Sequence, residues 1–181
     1  INNSLVKKDS HALSKVGIVL DDMELYKNRT AWFNIQYFGG LKGGFDEEKA
    51  KKLAKELDVF NFLDQKIKTY SLGMRKKLIL LISIINETEI LIFDEPFLGL
   101  DAVSVSWFKN YLKKLKEKGT LILISSHSKE DIESMCDKVL VLENGDFINH
   151  FDLQDQSQEY TYTIEVSKKD EMLALLQNQN I

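Results

Sequence analysis

Cysteine and proline are almost missing from this chain: of 181 residues, one is Cys136 and one is Pro96. A single thiol cannot close an internal disulfide, which argues against a disulfide-stapled secreted scaffold and fits a reducing compartment. One proline leaves no Pro-rich linker or low-complexity tract. Long apolar runs are missing as well. The longest, Leu78 to Ile85 with Ser83 inside it, falls far short of the roughly 20 residues that cross a bilayer, and no basic-flanked apolar leader opens the chain. Neither sign of charge dominates, with 24 basic against 28 acidic side chains and a net charge of -4. No general field would draw a polyanion, so no nucleic-acid partner is expected. The first residue is Ile1, not Met, from which we expect sequence upstream to be missing. What remains is ample for folding: 44% hydrophobic and 10% aromatic residues are too many for disorder, and the length suits one domain with a sizeable core.

Lys15 to Leu20 (KVGIVL) predicts a strand. Asp46 to Leu57 places Ala50, Leu53, Ala54 and Leu57 on one face at helical spacing, with Glu47 and Glu48 at the dipole's positive end. Ser71 precedes a second helix whose stripe is Met74, Leu78, Leu81, Ile82 and Ile85. Ile90 to Asp94 (ILIFD) is a continuous apolar run closed by a carboxylate, as expected of a buried parallel strand. Phe108, Tyr111, Leu112 and Leu115 mark the next helix, ended by lysines and Gly119. Thr120 to Ile124 is another buried strand, Ser128 and Asp131 resemble a cap for a short helix, and Lys138 to Leu142 is a third strand of the series. Asn144-Gly145 turns that strand into a hairpin with Phe147 and Ile148. An alternating segment, Tyr160 to Val166, and a last helix from about Lys168 complete the chain. This alternation of strand and helix predicts a mostly parallel sheet covered by helices.

Ligands of open parallel sheets bind beyond the carboxyl ends of the strands. There stand Asp94-Glu95-Pro96, two adjacent carboxylates that can divide metal holding from general-base work, or be no more than an acidic strand end. The next strand ends in Ser125-Ser126-His127, and that histidine can donate to a phosphate oxygen or simply cap the surface. Leu98-Gly99-Leu100-Asp101 offers a turn and a carboxylate that orients a site edge or caps the following helix. Tyr70-Ser71-Leu72-Gly73-Met74-Arg75 places a hydroxyl and a glycine at a helix start, where free amides and the dipole receive an anion or where Ser71 is a plain cap.

From the first residues to about Gly145, these segments resemble the nucleotide-binding domain of ATP-binding cassette (ABC) transporters. Tyr70 to Met74 (YSLGM) is similar to the family's signature motif, usually LSGGQ, and Leu91 to Glu95 (LIFDE) to its Walker B strand. Gly99-Leu100-Asp101 resembles the D-loop and His127 the switch histidine; 23 residues separate Ser71 from Asp94. The form S-x-G-M followed by Arg75-Lys76-Lys77 is similar to the subfamily that energises bacterial drug, antibiotic-peptide and polysaccharide exporters. The resemblance implies an α/β, P-loop NTPase-like fold, with a mostly parallel sheet, helices on both faces and a helical signature subdomain at about 30–85. It also implies ATP and Mg²⁺ as cofactors, with Asp94 on Mg²⁺, Glu95 activating water, His127 sensing the γ-phosphate, and Ser71, Leu72, Gly73 and Met74 contacting nucleotide held by a second, homodimeric subunit. A membrane-spanning permease would be the other partner, docked near the segment from Asp21 to about Gly44, where Trp32, Phe33, Tyr37 and Phe38 are either exposed candidates or simply core. The protein would then lie in the cytoplasm at the inner face of the membrane.

Two departures stand against the pattern. No G-x-x-x-x-G-K-[ST] occurs; Gly39, Gly40, Gly43 and Gly44 cluster around Lys42, but no GK[ST] closes them. The family's loop precedes the segment matched by Lys15 to Tyr26, so an N-terminally truncated domain is expected over 1–150, with 151–181 as a C-terminal extension. At the Q-loop, Asp21 or Asp22 replaces the family's glutamine; as a carboxylate Asp21 can still serve the metal. Two alternatives remain: a degenerate, non-catalytic ABC-type module, which Asp21 favours and Asp94, Glu95 and His127 oppose, and half of a chromosome-maintenance or recombination ATPase, against which stands the lack of sustained heptads.

Overall fold

A computed structural model describes residues 11–20, 23–41, 43–86 and 88–153. Asp21, Asp22 and Lys42, the alternating segment 160–166 and the helix expected from Lys168 lie outside them. The chain divides into two compact units, Ile1–Met135 and Cys136–Ile181.

The first unit is built on three parallel strands, β1 (Val16–Val19), β2 (Ile90–Asp94) and β3 (Leu121–Ser125), in spatial order β1-β2-β3. A short helix α1 (His11–Ser14) leads into β1. Between β1 and β2 come α2 (Ala31–Gly40), α3 (Glu47–Glu56), two 3-10 turns and α4 (Leu72–Ile84); α5 (Ala102–Glu117) crosses from β2 to β3, and α6 (Lys129–Met135) follows β3. Register aligns Val19, Phe93 and Ile124 across the sheet, and likewise Gly17, Leu91 and Ile122. Because side chains alternate along a strand, these rows share one face. Leu91 and Phe93 are buried on it, together with Leu78, Leu81, Phe108 and Leu112 of the helices. On the other face Ile18, Leu121 and Leu123 are 45%, 54% and 47% exposed. Asp94 and Ser125 are register partners at the sheet's carboxyl end and fall on this more open face.

The helices start where side chains accept from their first amides. Thr30, Asp46, Ser71 and Asp101 cap α2, α3, α4 and α5 through bonds from the amides of Phe33, Lys49, Met74 and Ser104. The expected stripe of α4 is buried at Leu78, Leu81, Ile82 and Ile85, but Ile79, Leu80 and Ile84 are buried too, so its second half is enclosed on all sides. Gly17 explains part of that enclosure. A Cβ there would lie 2.5 Å from Leu91 Cδ2 and 3.1 Å from the Ser83 carbonyl, so only glycine lets α4 sit this close to β1.

In the second unit, β4 (Lys138–Glu143) and β5 (Asp146–Asp152) form an antiparallel pair across Asn144-Gly145, both at positive φ. The hairpin is as expected. The strand Lys138 to Leu142 is not, however, a further member of the parallel series; among the described residues its partner is β5. Asn-Gly favours the tight return that pairs neighbours in sequence, and that local pairing prevails.

Candidate active site

The carboxyl ends of β2 and β3 bring four polar groups together. Ser125 Oγ donates to Asp94 Oδ1 at 2.5 Å and accepts the Glu95 amide at 3.1 Å. Glu95 leaves the strand in the left-handed region, at φ 44°, and its carbonyl accepts from Leu98 in a turn that encloses Pro96 and Phe97. That turn aims Glu95 Oε1 at His127 Nδ1, 2.9 Å away. The Glu95 carboxylate, by hydrogen bond and charge, holds the His127 imidazole above its ordinary value, with Asp131 adding slightly. Asp94, Glu95 and Pro96 also line a small open depression with Val19, Leu20, Lys76, Ile79 and Leu80.

A second polar group forms at the start of α4. Ser71 and Leu72 are exposed, and Gly73 and Met74 half-buried. Tyr70, just ahead, is buried; its hydroxyl donates to the Phe62 carbonyl at 2.7 Å, and burial, with the Asp64 charge, pushes its pKa up to about 12. The residue thus anchors the helix entry while Ser71 and Leu72 face outward. The loop after β2 packs against this entry: a Cβ on Gly73 would be 3.4 Å from the Gly99 carbonyl, and Gly99 itself is at φ +80°. Leu100 packs on the core. Asp101 caps α5 through Oδ1 and pairs with Lys77 of α4 through Oδ2 at 2.8 Å. Lys77, then the Ser104 amide and hydroxyl, hold the Asp101 carboxyl far below the usual carboxylate range.

Two carboxylates and a histidine at the ends of parallel strands can direct a water, and the separate outward start of α4 can receive an anion. A family model described as ABC transporter matches residues 1–98, more than half of the chain. The chain belongs to the ABC transporter family. Curated relatives of this ABC chain include the ABC transporter ATP-binding protein YhcH of Bacillus subtilis, 30% identical over 181 residues, covering 98% of this chain and 59% of that protein. The bacitracin transport ATP-binding protein BcrA of Enterococcus faecalis is 34% identical over 160 residues, with coverages of 86% and 52%. The chain therefore spans little more than half the length of these relatives. A solved ATP-binding subunit of an ABC transporter superposes with a TM-score of 0.78 at 24% identity, over 86% of this chain and 66% of that one. At that identity the likeness speaks for the fold.

Of the residues singled out in the sequence, Asp94, Glu95 and His127 meet in one cluster, and Ser71 to Met74 meet Gly99 to Asp101 in another. Asp21 lies outside the described residues. The four aromatics expected to be exposed divide: Tyr37 is 42% exposed, while Trp32, Phe33 and Phe38 are half-buried, Trp32 and Phe38 packing on the core, Trp32 with its ring 6.0 Å from Phe45. Tyr26, not singled out, joins Phe33, Tyr37 and Phe38 in a ring cluster and is 47% exposed. The buried Asn34 holds it there, accepting the Tyr26 amide at 2.8 Å. The pairings of Ser125 with Asp94 and of Lys77 with Asp101 were also missed, since each joins residues distant in sequence.

Proposed function

We propose that this chain is the part of an ABC-exporter ATP-binding subunit that carries the hydrolytic carboxylate and the signature helix, coupling ATP binding and hydrolysis to export through a separate membrane subunit. The observation that carries this reading is the 2.9 Å pairing of Glu95 with His127 beside Asp94, at the ends of adjacent parallel strands. Glu95 is the general base, taking a proton from the attacking water and fixing its direction. His127 spends Nδ1 on Glu95, which leaves Nε2 to donate to a γ-phosphate oxygen. Asp94 would hold Mg²⁺ directly or through water. Mg²⁺ takes one or two carboxylates from such a site and leaves its other positions to phosphate and water. When bound, Mg²⁺ supplies charge neutralisation at the phosphates. Ser71 and the first-turn amides of α4, with Gly73 clearing the approach, receive the nucleotide carried by a second such subunit. The exposed edge of the Tyr26, Phe33, Tyr37 and Phe38 cluster is the face offered to the membrane subunit, at the inner side of the membrane. A relative named for bacitracin transport supports a role in transport.

The test is Glu95→Gln in a protein of the relatives' length that carries this segment. ATP binding should persist while turnover falls at least a hundredfold, as expected for loss of general-base catalysis. Hydrolysis at the unmutated rate would refute the role of Glu95.

A further inference from the structure

The two groups assigned to the cation and to the water, Asp94 and Glu95, are consecutive residues, and one hydroxyl from the neighbouring strand touches both. We propose that Ser125 is the positioning residue of this site: its Oγ fixes the Asp94 carboxylate and the Glu95 main chain together, so that one side chain sets the aim of both carboxylates. The proposal rests on the assignment of Asp94 and Glu95 given above.

The hydrogen-bond directions leave Ser125 a single arrangement. The Glu95 amide can only donate, so Oγ accepts it at 3.1 Å, and the hydroxyl proton is then given to Asp94 Oδ1 at 2.5 Å, a length typical of a hydroxyl on a charged carboxylate. Oδ1 is thereby engaged within the chain, and Oδ2 remains for the cation. The second bond acts on backbone. Glu95 is a non-glycine residue at φ 44°, ahead of a proline, a conformation that persists only where its surroundings enforce it. With its amide held by Ser125 and its carbonyl held by the Leu98 amide at 3.3 Å, the turn is pinned from both ends, and its side chain is delivered to His127. Register makes this possible: Asp94 pairs with Ser125 across β2 and β3, so the hydroxyl stands beside the last residue of β2 on the same face. A residue without a hydroxyl at 125 would leave the Glu95 amide without its acceptor and Asp94 Oδ1 without its donor.

The experiment uses the 181-residue chain without nucleotide or metal and compares Ser125→Thr with Ser125→Val, which match in shape and differ in the hydroxyl. Each is read by NMR titration of the His127 ring, with Glu95→Ala as the reference for a lost pairing. The expected result is that Ser125→Val lowers the His127 midpoint most of the way to the Glu95→Ala value, while Ser125→Thr leaves it in place. The Glu95 amide should likewise exchange with solvent faster in the Val variant only. An unmoved midpoint in Ser125→Val, or equal movement in Val and Thr, would overturn the proposal. Since the readout needs neither ATP nor Mg²⁺, a failure of the hydrolytic role of Glu95 would appear in turnover by Glu95→Gln and leave this comparison unaffected.

Discussion

Asp101 holds two elements at once, and its replacement separates the two contributions. Its Oδ1 caps α5 through the Ser104 amide at 2.8 Å and the Ser104 hydroxyl at 2.9 Å, and its Oδ2 pairs with Lys77 at 2.8 Å. Removing a cap costs about 1 kcal/mol. The ion pair is half-open, the Lys77 side chain being 14% exposed and that of Asp101 54%, so we assign it about 1 kcal/mol, the upper end for a pair of this kind. Asp101→Ala should therefore lose about 2 kcal/mol and Asp101→Asn, which can still cap, about 1. For a chain of this size that corresponds to melting points lower by roughly 4–8 °C and 2–4 °C. Urea denaturation followed by circular dichroism measures both, and a double-mutant cycle with Lys77→Met isolates the pair. Equal losses in Ala and Asn, or a coupling of zero, would refute the division.

The same carboxyl gives a signed pH dependence. Because folding lowers its affinity for protons, its contribution is complete above the ordinary value of 3.8 and disappears as pH falls from there through the lower folded value. The stability gap between the unmodified chain and Asp101→Asn should thus be constant from pH 7 to about 5 and shrink below about pH 4.

Phe108 is fully buried and meets Phe93 edge to face at 5.5 Å, so Phe108→Ala should cost about 3–5 kcal/mol and Phe108→Leu under about 1.5, read from denaturation midpoints. The 181-residue chain, which carries no G-x-x-x-x-G-K-[ST], should turn over Mg-ATP weakly or not at all, since that loop supplies most phosphate contacts in proteins that use it; a phosphate-release assay with robust turnover would contradict this.

The parts of the fold that were legible in the sequence are those set by local chemistry. Helix α3 announces itself by Glu47 and Glu48 in its first turn and an apolar face at Ala50, Leu53 and Ala54; the structure shows both and adds Asp46 as the cap. The strand ILIFD and the caps at Ser71 and Asp101 are equally local. Helix α2 is less readable because AWFNIQYFGG carries aromatics on every side, and period alone cannot say that Trp32 turns inward while Tyr37 turns out. Nor could the sequence distinguish Asn34 as buried, since its amide is satisfied by Thr30 and Tyr26, a closure only the fold supplies. In the site, Asp94, Glu95 and His127 were visible as strand-end residues. Ser125 was visible as a strand end too, but its bond to Asp94 was not, because that depends on the register that pairs the two.

Strain at Glu95 offers a measure of how far the site is arranged for geometry at the expense of stability. Among the described residues three non-glycines have positive φ: Asp58, Glu95 and Asn144. Asp and Asn tolerate that region through local hydrogen bonding, whereas Glu has no such relief and is disfavoured by about 1–2 kcal/mol. Glycine removes that penalty but adds about 0.5–1 kcal/mol of chain entropy to be lost on folding, so Glu95→Gly should be net stabilised relative to Glu95→Ala by a difference centred on about 0.75 kcal/mol and reaching about 1.5. Both variants lack the carboxylate, so the loss of the His127 pairing cancels between them and the difference reports backbone alone. The sign decides the matter: if the Ala variant proved as stable as the Gly variant in urea, the left-handed turn would carry no strain, and the turn at Glu95 would need no enforcement by its neighbours.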